Sequence, residues 1–181
     1  MATPPTFTAG SVLTAAQMNT IGMHLVKTQT VGSGVSSVTV TGAFSADYDN
    51  YQIVWIGGAS TTTNINLKLG STTTGYYSNI IYAVPSTPAP AGLASNNGAY
   101  WNYIGDATSA GGTAVINIYS PYLAAKTYIN GPYMGSGTSS GAFGFFAGNL
   151  NDTTSYTAFT LTPGIGTLTG GTIRIYGYRN S

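Results

Sequence analysis

Hydrophobic and polar residues alternate with a period of two along much of this chain, the signature of strands with one face buried. In the stretch 63–69, Ile65, Leu67 and Leu69 fall on one face and Asn64, Asn66 and Lys68 on the other. Val38 and Val40 alternate with Thr39 and Thr41, Phe159 and Leu161 with Thr160 and Thr162, and Ile173 and Ile175 with Arg174, Tyr176 and Tyr178. The stretches 51–56 and 115–119 are apolar on both faces, which predicts central strands or strands covered by a partner subunit. Further strands are expected near 76–84, 99–104, 126–134 and 142–147, with turns at Gly57-Gly58, Gly111-Gly112 and Gly170-Gly171. About eight to ten short strands at this spacing predict an all-β fold, an antiparallel β-sandwich or jelly roll. Residues 85–90 carry Pro85, Pro88 and Pro90 and read as a stiff, exposed loop, because proline cannot serve a central strand.

The N-terminal part reads differently. Pro4 and Pro5 predict an extended arm over residues 1–10, followed by one short helix. Thr14 and Gln17 have the spacing of a capping box, and Met18, Ile21 and Leu25 then share a helical face. Gly22 weakens that helix by about 1 kcal/mol relative to alanine. So short a helix needs a surface to dock on, either its own domain or a neighbouring chain. Gly32-Ser33-Gly34 reads as a hinge or turn. The expected organisation is an attachment or clasp segment over 1–31 and a β-sandwich domain over 35–181.

Composition narrows the function. Only 5% of the 181 residues are charged, with no glutamate and no cysteine, whereas about a quarter of a typical soluble domain is charged. Thr, Ser, Asn, Gly and 14 Tyr fill the gaps. Lys27, Lys68, Lys126, Arg174 and Arg179 are scattered and make no basic stripe, so nucleic acid is not an expected partner. No apolar run reaches the roughly 18 residues of a membrane span, so no membrane insertion is expected. The N-terminus has neither the charged nor the apolar region of a signal peptide, which predicts synthesis in a cytoplasm.

Catalytic chemistry has little to work with. Acid–base catalysis needs positioned titratable groups, and the chain offers four aspartates and one histidine, His24, with no Gly-x-Ser-x-Gly elbow. The chain is therefore expected not to be an enzyme and to carry no cofactor. Asp47 and Asp49 could begin an oxygen-ligand loop for Ca²⁺, or form a turn leading into the strand at Tyr51. Tyr100, Trp101 and Tyr103, beside Asn96, Asn97 and Asn102, could form an aromatic platform with amides for a glycan, or simply fill the core.

Three segments carry a resemblance. The opening from Thr6 to Asn19 (TFTAGSVLTAAQMN) is similar to the N-terminus of small virion proteins of tailed bacteriophages, of the minor tail or tail-fibre type. Phe44 to Tyr51 (FSADYDNY) resembles the lead-in to their first core strand, and Gly170 to Tyr178 (GGTIRIYGY) their terminal strand. The resemblance implies a non-enzymatic structural component of a phage virion, made in the bacterial host cytoplasm and built as a homotrimer. It implies attachment to other virion proteins of the tail or capsid through the N-terminal segment, with Val12, Leu13, Met18, Ile21 and Leu25 as apolar anchors. Capsid decoration or a head fibre is an equal expectation, and the alternative is a carbohydrate-binding module that recognises a host surface glycan. The lack of charge suits assembly, since desolvating Thr, Asn and Tyr at a contact costs less than desolvating unpaired ions.

Overall fold

A computed structural model describes residues 9, 10, 12, 14, 22–135 and 141–179. The described residues form 13 strands and no helix: β1 (Met23–Thr30), β2 (Ser33–Val35), β3 (Val38–Val40), β4 (Tyr48–Ala59), β5 (Thr63–Leu69), β6 (Tyr76–Val84), β7 (Thr87–Gly98), β8 (Trp101–Thr108), β9 (Gly111–Tyr119), β10 (Thr127–Gly135), β11 (Ala142–Leu150), β12 (Phe159–Pro163) and β13 (Leu168–Arg179). All pairings are antiparallel.

The topology forks at β9. One edge of β9 is taken along its length by β4, from Gly57 opposite Gly112 to Asn50 opposite Tyr119. The other edge is shared. Residues Gly111–Thr113 pair with β8, while Asn117–Tyr119 pair with β10. From the fork one arm runs β8–β5–β12–β3 and another β10–β11–β6–β7, while β4 leads to β13 and then to β1 and β2. Gly131 of β10 sits where the strands part, and a Cβ there would lie 2.1 Å from the Val115 carbonyl oxygen and 2.8 Å from Phe146 Cζ. Only a residue without a side chain permits this approach. Across the fork, the buried Tyr133 phenol of β10 donates a 2.8 Å hydrogen bond to Asp106 Oδ2 of β8. Burial and the neighbouring Asp106 charge push the phenol far above its ordinary pKa, so it remains a donor.

Inward-facing residues of all the arms belong to one buried cluster. Ile175, Ile53 and Ile116 stand opposite one another on β13, β4 and β9, as do Ile173, Trp55 and Ala114. Ile65, Leu67, Leu69, Phe159, Leu161, Val38 and Val40 come from the β5–β12–β3 arm, and Tyr76, Ile80, Ile129, Phe146 and Leu150 from the other. Fully burying each of the large apolar side chains contributes about 1.5–3 kcal/mol. Buried phenols find backbone partners: Tyr51 Oη accepts from the Ser45 amide at 2.8 Å and donates to the Ser45 carbonyl at 2.9 Å.

The structure corrects several expectations. There are more strands than the expected eight to ten. The short helix is absent among the described residues, and Leu25 lies in β1, opposite Tyr176 of β13. Gly22 has φ +92°, a conformation that cannot continue a right-handed helix. Gln17, Met18 and Ile21, the rest of the expected helix, lie outside the described residues. In the expected hinge or turn at Gly32-Ser33-Gly34, Ser33 and Gly34 instead begin β2, which pairs with β13, and Val31 just before it is buried. The expected proline loop is a two-residue turn, Pro85-Ser86, followed by the edge strand β7, in which Pro88 and Pro90 sit without interrupting a central ladder.

Candidate recognition face

Register places the outward residues of β13, β4, β9 and β10 in cross-strand rows. One row runs Tyr178, Asn50, Tyr119, Tyr128 and the next Tyr176, Gln52, Asn117, Asn130. On β1, Met23 and Leu25 extend these rows, each more than two-fifths exposed. None of these side chains is charged. The second row is tied together by its amides: Gln52 Nε2 donates to Asn117 Oδ1 at 3.2 Å, and Asn117 Nδ2 to Asn130 Oδ1 at 3.0 Å. Asn130 Nδ2 in turn donates to Tyr119 Oη at 3.3 Å. Asn50, Asn117, Tyr119 and Tyr178 line a cleft of about 350 Å³.

Farther along the same sheet the outward surface becomes apolar. Phe145 of β11 stands between Pro132 of β10 and Ile81 of β6, with Phe143 two residues away on β11. Ile81 is 65% exposed and both phenylalanines are 53% exposed, values that a core residue would not show.

The residues singled out in the sequence are dispersed. Trp101 is fully buried, its ring edge-on to Tyr76 with centroids 4.9 Å apart, so the indole is part of the core and presents no surface to a glycan. Tyr100 and Tyr103 flank it, both half-buried, and Tyr103 has φ +57°. Asp47 lies in a turn, where Ser45 Oγ donates to its carboxylate at 3.0 Å. Asp49 is in β4, and its carbonyl accepts from the Ser120 amide at 2.8 Å. Among the described residues, no three His, Cys, Asp or Glu side chains gather into a metal-binding group. His24 stands on β1 opposite Gly177, its ring 6.3 Å from that of Tyr48. Val12 is 88% exposed, while Leu13, Met18 and Ile21 lie outside the described residues.

Sequence reasoning missed the amide rows. The available signal was one polar residue in each of two apolar stretches, Gln52 in 51–56 and Asn117 in 115–119, but only the register reveals that they are opposite each other.

Asp152 forms a separate polar lock. Its Oδ2 accepts from Tyr156 Oη at 2.6 Å, and its Oδ1 from the Thr154 amide and hydroxyl at 2.9 and 2.8 Å. Thr72 Oγ1 lies 2.7 Å from the same phenol. The Tyr156 bond first, then those from Thr154, hold the carboxyl below its ordinary pKa. Because the folded-state pKa is depressed, this stabilisation is present above the unfolded-state pKa and is lost as pH falls through the folded value. The 151–158 loop is therefore expected to loosen in acid. Asp152→Asn should remove the part of the acid dependence between about pH 5 and pH 2 that this carboxyl contributes, checked by comparing urea midpoints of the two proteins over that range.

No known protein family matches the chain, and no curated protein does. Among solved structures, the VP2 subviral particle of infectious bursal disease virus aligns at 10% identity over 85% of this chain, with a TM-score of 0.15. The chain spans 42% of the length of that protein, and a likeness this slight carries no argument about fold or function.

Proposed function

We propose that the protein is a non-enzymatic structural component of a tailed-phage virion, of the tail-fibre, minor tail or capsid-decoration type. Its N-terminal segment attaches to other virion proteins. The arms that diverge from β9 face each other across the shared buried cluster as a β-sandwich and are displayed outward, and the chain assembles as a homotrimer. The observation that carries the assembly part is the exposed apolar patch of Ile81, Phe143 and Phe145 on the neighbouring strands β6 and β11. Contiguous exposed apolar surface marks interaction sites, and here no cluster of charges would have to be desolvated to cover it. The virion part rests on the resemblance of the segments 6–19, 44–51 and 170–178.

The trimer is tested by light scattering of the purified chain. A mass about three times the 18.6 kDa of one chain is expected, falling toward one chain in the double variant Ile81→Ser/Phe145→Ser. A single-chain mass at every concentration would contradict the trimer. Absence of the protein from mass spectra of purified particles would contradict the virion assignment.

A further inference from the structure

The cleft lined by Asn50, Asn117, Tyr119 and Tyr178 has a chemistry distinct from the apolar patch. Asn50 lies at the centre of its row, between Tyr178 of β13 and Tyr119 of β9. Antiparallel strands are spaced about 4.8 Å apart, so the two tyrosines leave the backbone roughly 9.6 Å apart. A ring held between two others at carbon–carbon contacts of about 3.5–4.0 Å needs roughly 7–8 Å, so this backbone spacing suits one six-membered ring lying above the shorter Asn50 side chain.

The hydrogen-bonding groups define the ring. The Asn117 amide is oriented by its bonds to Gln52 and Asn130 and keeps one Nδ2 hydrogen unused by them. Asn50 makes no side-chain hydrogen bond to the described residues, so its amide offers two donors and one acceptor at the centre of the cleft. An amide of this kind matches neighbouring hydroxyls, one accepting from Nδ2 and the other donating to Oδ1. Tyrosine rings suit the C–H face of a sugar. None of the four described lining residues is charged, so none of them compensates a phosphate, carboxylate or ammonium group.

From this geometry we propose that the cleft is a saccharide subsite that takes a neutral pyranose with vicinal hydroxyls. This gives the carbohydrate-recognition reading a definite place, on β13, β4 and β9 and away from Tyr100, Trp101 and Tyr103. It does not depend on the virion assignment, because a chain found outside particles could still hold a sugar here.

The test is saturation-transfer NMR on the full chain with glucose, galactose, mannose and N-acetylglucosamine, and with sialic acid as the charged comparison. At least one neutral sugar is expected to bind with a dissociation constant of about 1 mM, the range of a single small subsite. Asn50→Ala and Tyr178→Ala should each weaken binding tenfold or more. Neither removes a hydrogen bond within the described protein, and unchanged urea midpoints would show that both fold. Tyr100→Ala should leave binding as it is. No transfer from any neutral sugar would overturn the proposal. So would binding that survives Asn50→Ala and is lost in Tyr100→Ala, or a preference for sialic acid. A change of solution mass in Asn50→Ala without sugar binding would make the cleft a contact between subunits, and that also overturns it.

Discussion

Replacing Trp101 with alanine is expected to lower the free energy of unfolding by about 3–5 kcal/mol, the range for removing a large aromatic from a packed core. The indole is fully buried and packs edge-on against Tyr76. A Cβ built on Gly148 of β11 would come within 3.0 Å of Trp101 Cδ1, so the ring also fills the space beneath that strand. Trp101 thus joins β8, on one side of the fork, to β6 and β11 on the other, and no single neighbour can relax into the void left by its loss. Its Nε1 is buried and has no hydrogen-bond partner among the described residues. Trp101→Phe therefore removes an unsatisfied donor along with part of the volume, and should cost much less than Trp101→Ala. Urea denaturation monitored by far-UV circular dichroism measures both. An alanine variant as stable as the parent would show that the ring is not structural, as expected of a surface platform for sugar.

Gly131→Ala is expected to cost about 1–3 kcal/mol, the range for forcing a methyl group into a packed site. The new Cβ would meet the Val115 carbonyl oxygen at 2.1 Å, well inside contact distance. That oxygen belongs to the backbone of β9 and cannot rotate away as a side chain would. Relief requires β10 to move off β9 at the point where the two share only Asn117–Tyr119 and their partners. The readout is a lower urea midpoint with an unchanged denaturant slope, since the change strains the folded state without altering the surface exposed on unfolding. A midpoint equal to that of the parent would show that the close approach is not a constraint.

The parts of the fold that can be read from the sequence are those in which local pattern and tertiary role agree. Ile65, Leu67 and Leu69 are buried, as their alternation predicts, and so are Val38, Val40, Phe159, Leu161, Ile173 and Ile175. The pattern is less informative on the opposite face, where Asn66 and Thr160 are also buried. There Asn66 accepts a hydrogen bond from Asn64 at 2.6 Å, and the Thr160 and Thr39 hydroxyls lie 2.9 Å apart, so the polar groups satisfy one another. Leu25 shows the ambiguity of short apolar patterns: it fits a helical stripe with Met18 and Ile21, yet pairing with β13 draws it into a strand. The prolines of β7 exclude a central strand but not an edge. The candidate site was the least legible part. Adjacent aromatics at 100–103 attract notice in a sequence, whereas Asn50, Asn117, Tyr119 and Tyr178 come together only through registers between distant strands.

The pairing of β13 has a consequence for the order in which the chain can fold. This strand supplies partners for β1, β2 and one edge of β4, elements drawn from residues 23–59. A ribosome-bound chain must therefore hold those strands with open edges until residues 168–179 have emerged. Contacts between segments so far apart in sequence close slowly, because the entropy of the intervening loop is lost before they form. Completion of the sheet therefore waits for β13, and strand β1 can be taken up by the fold only once that strand is present.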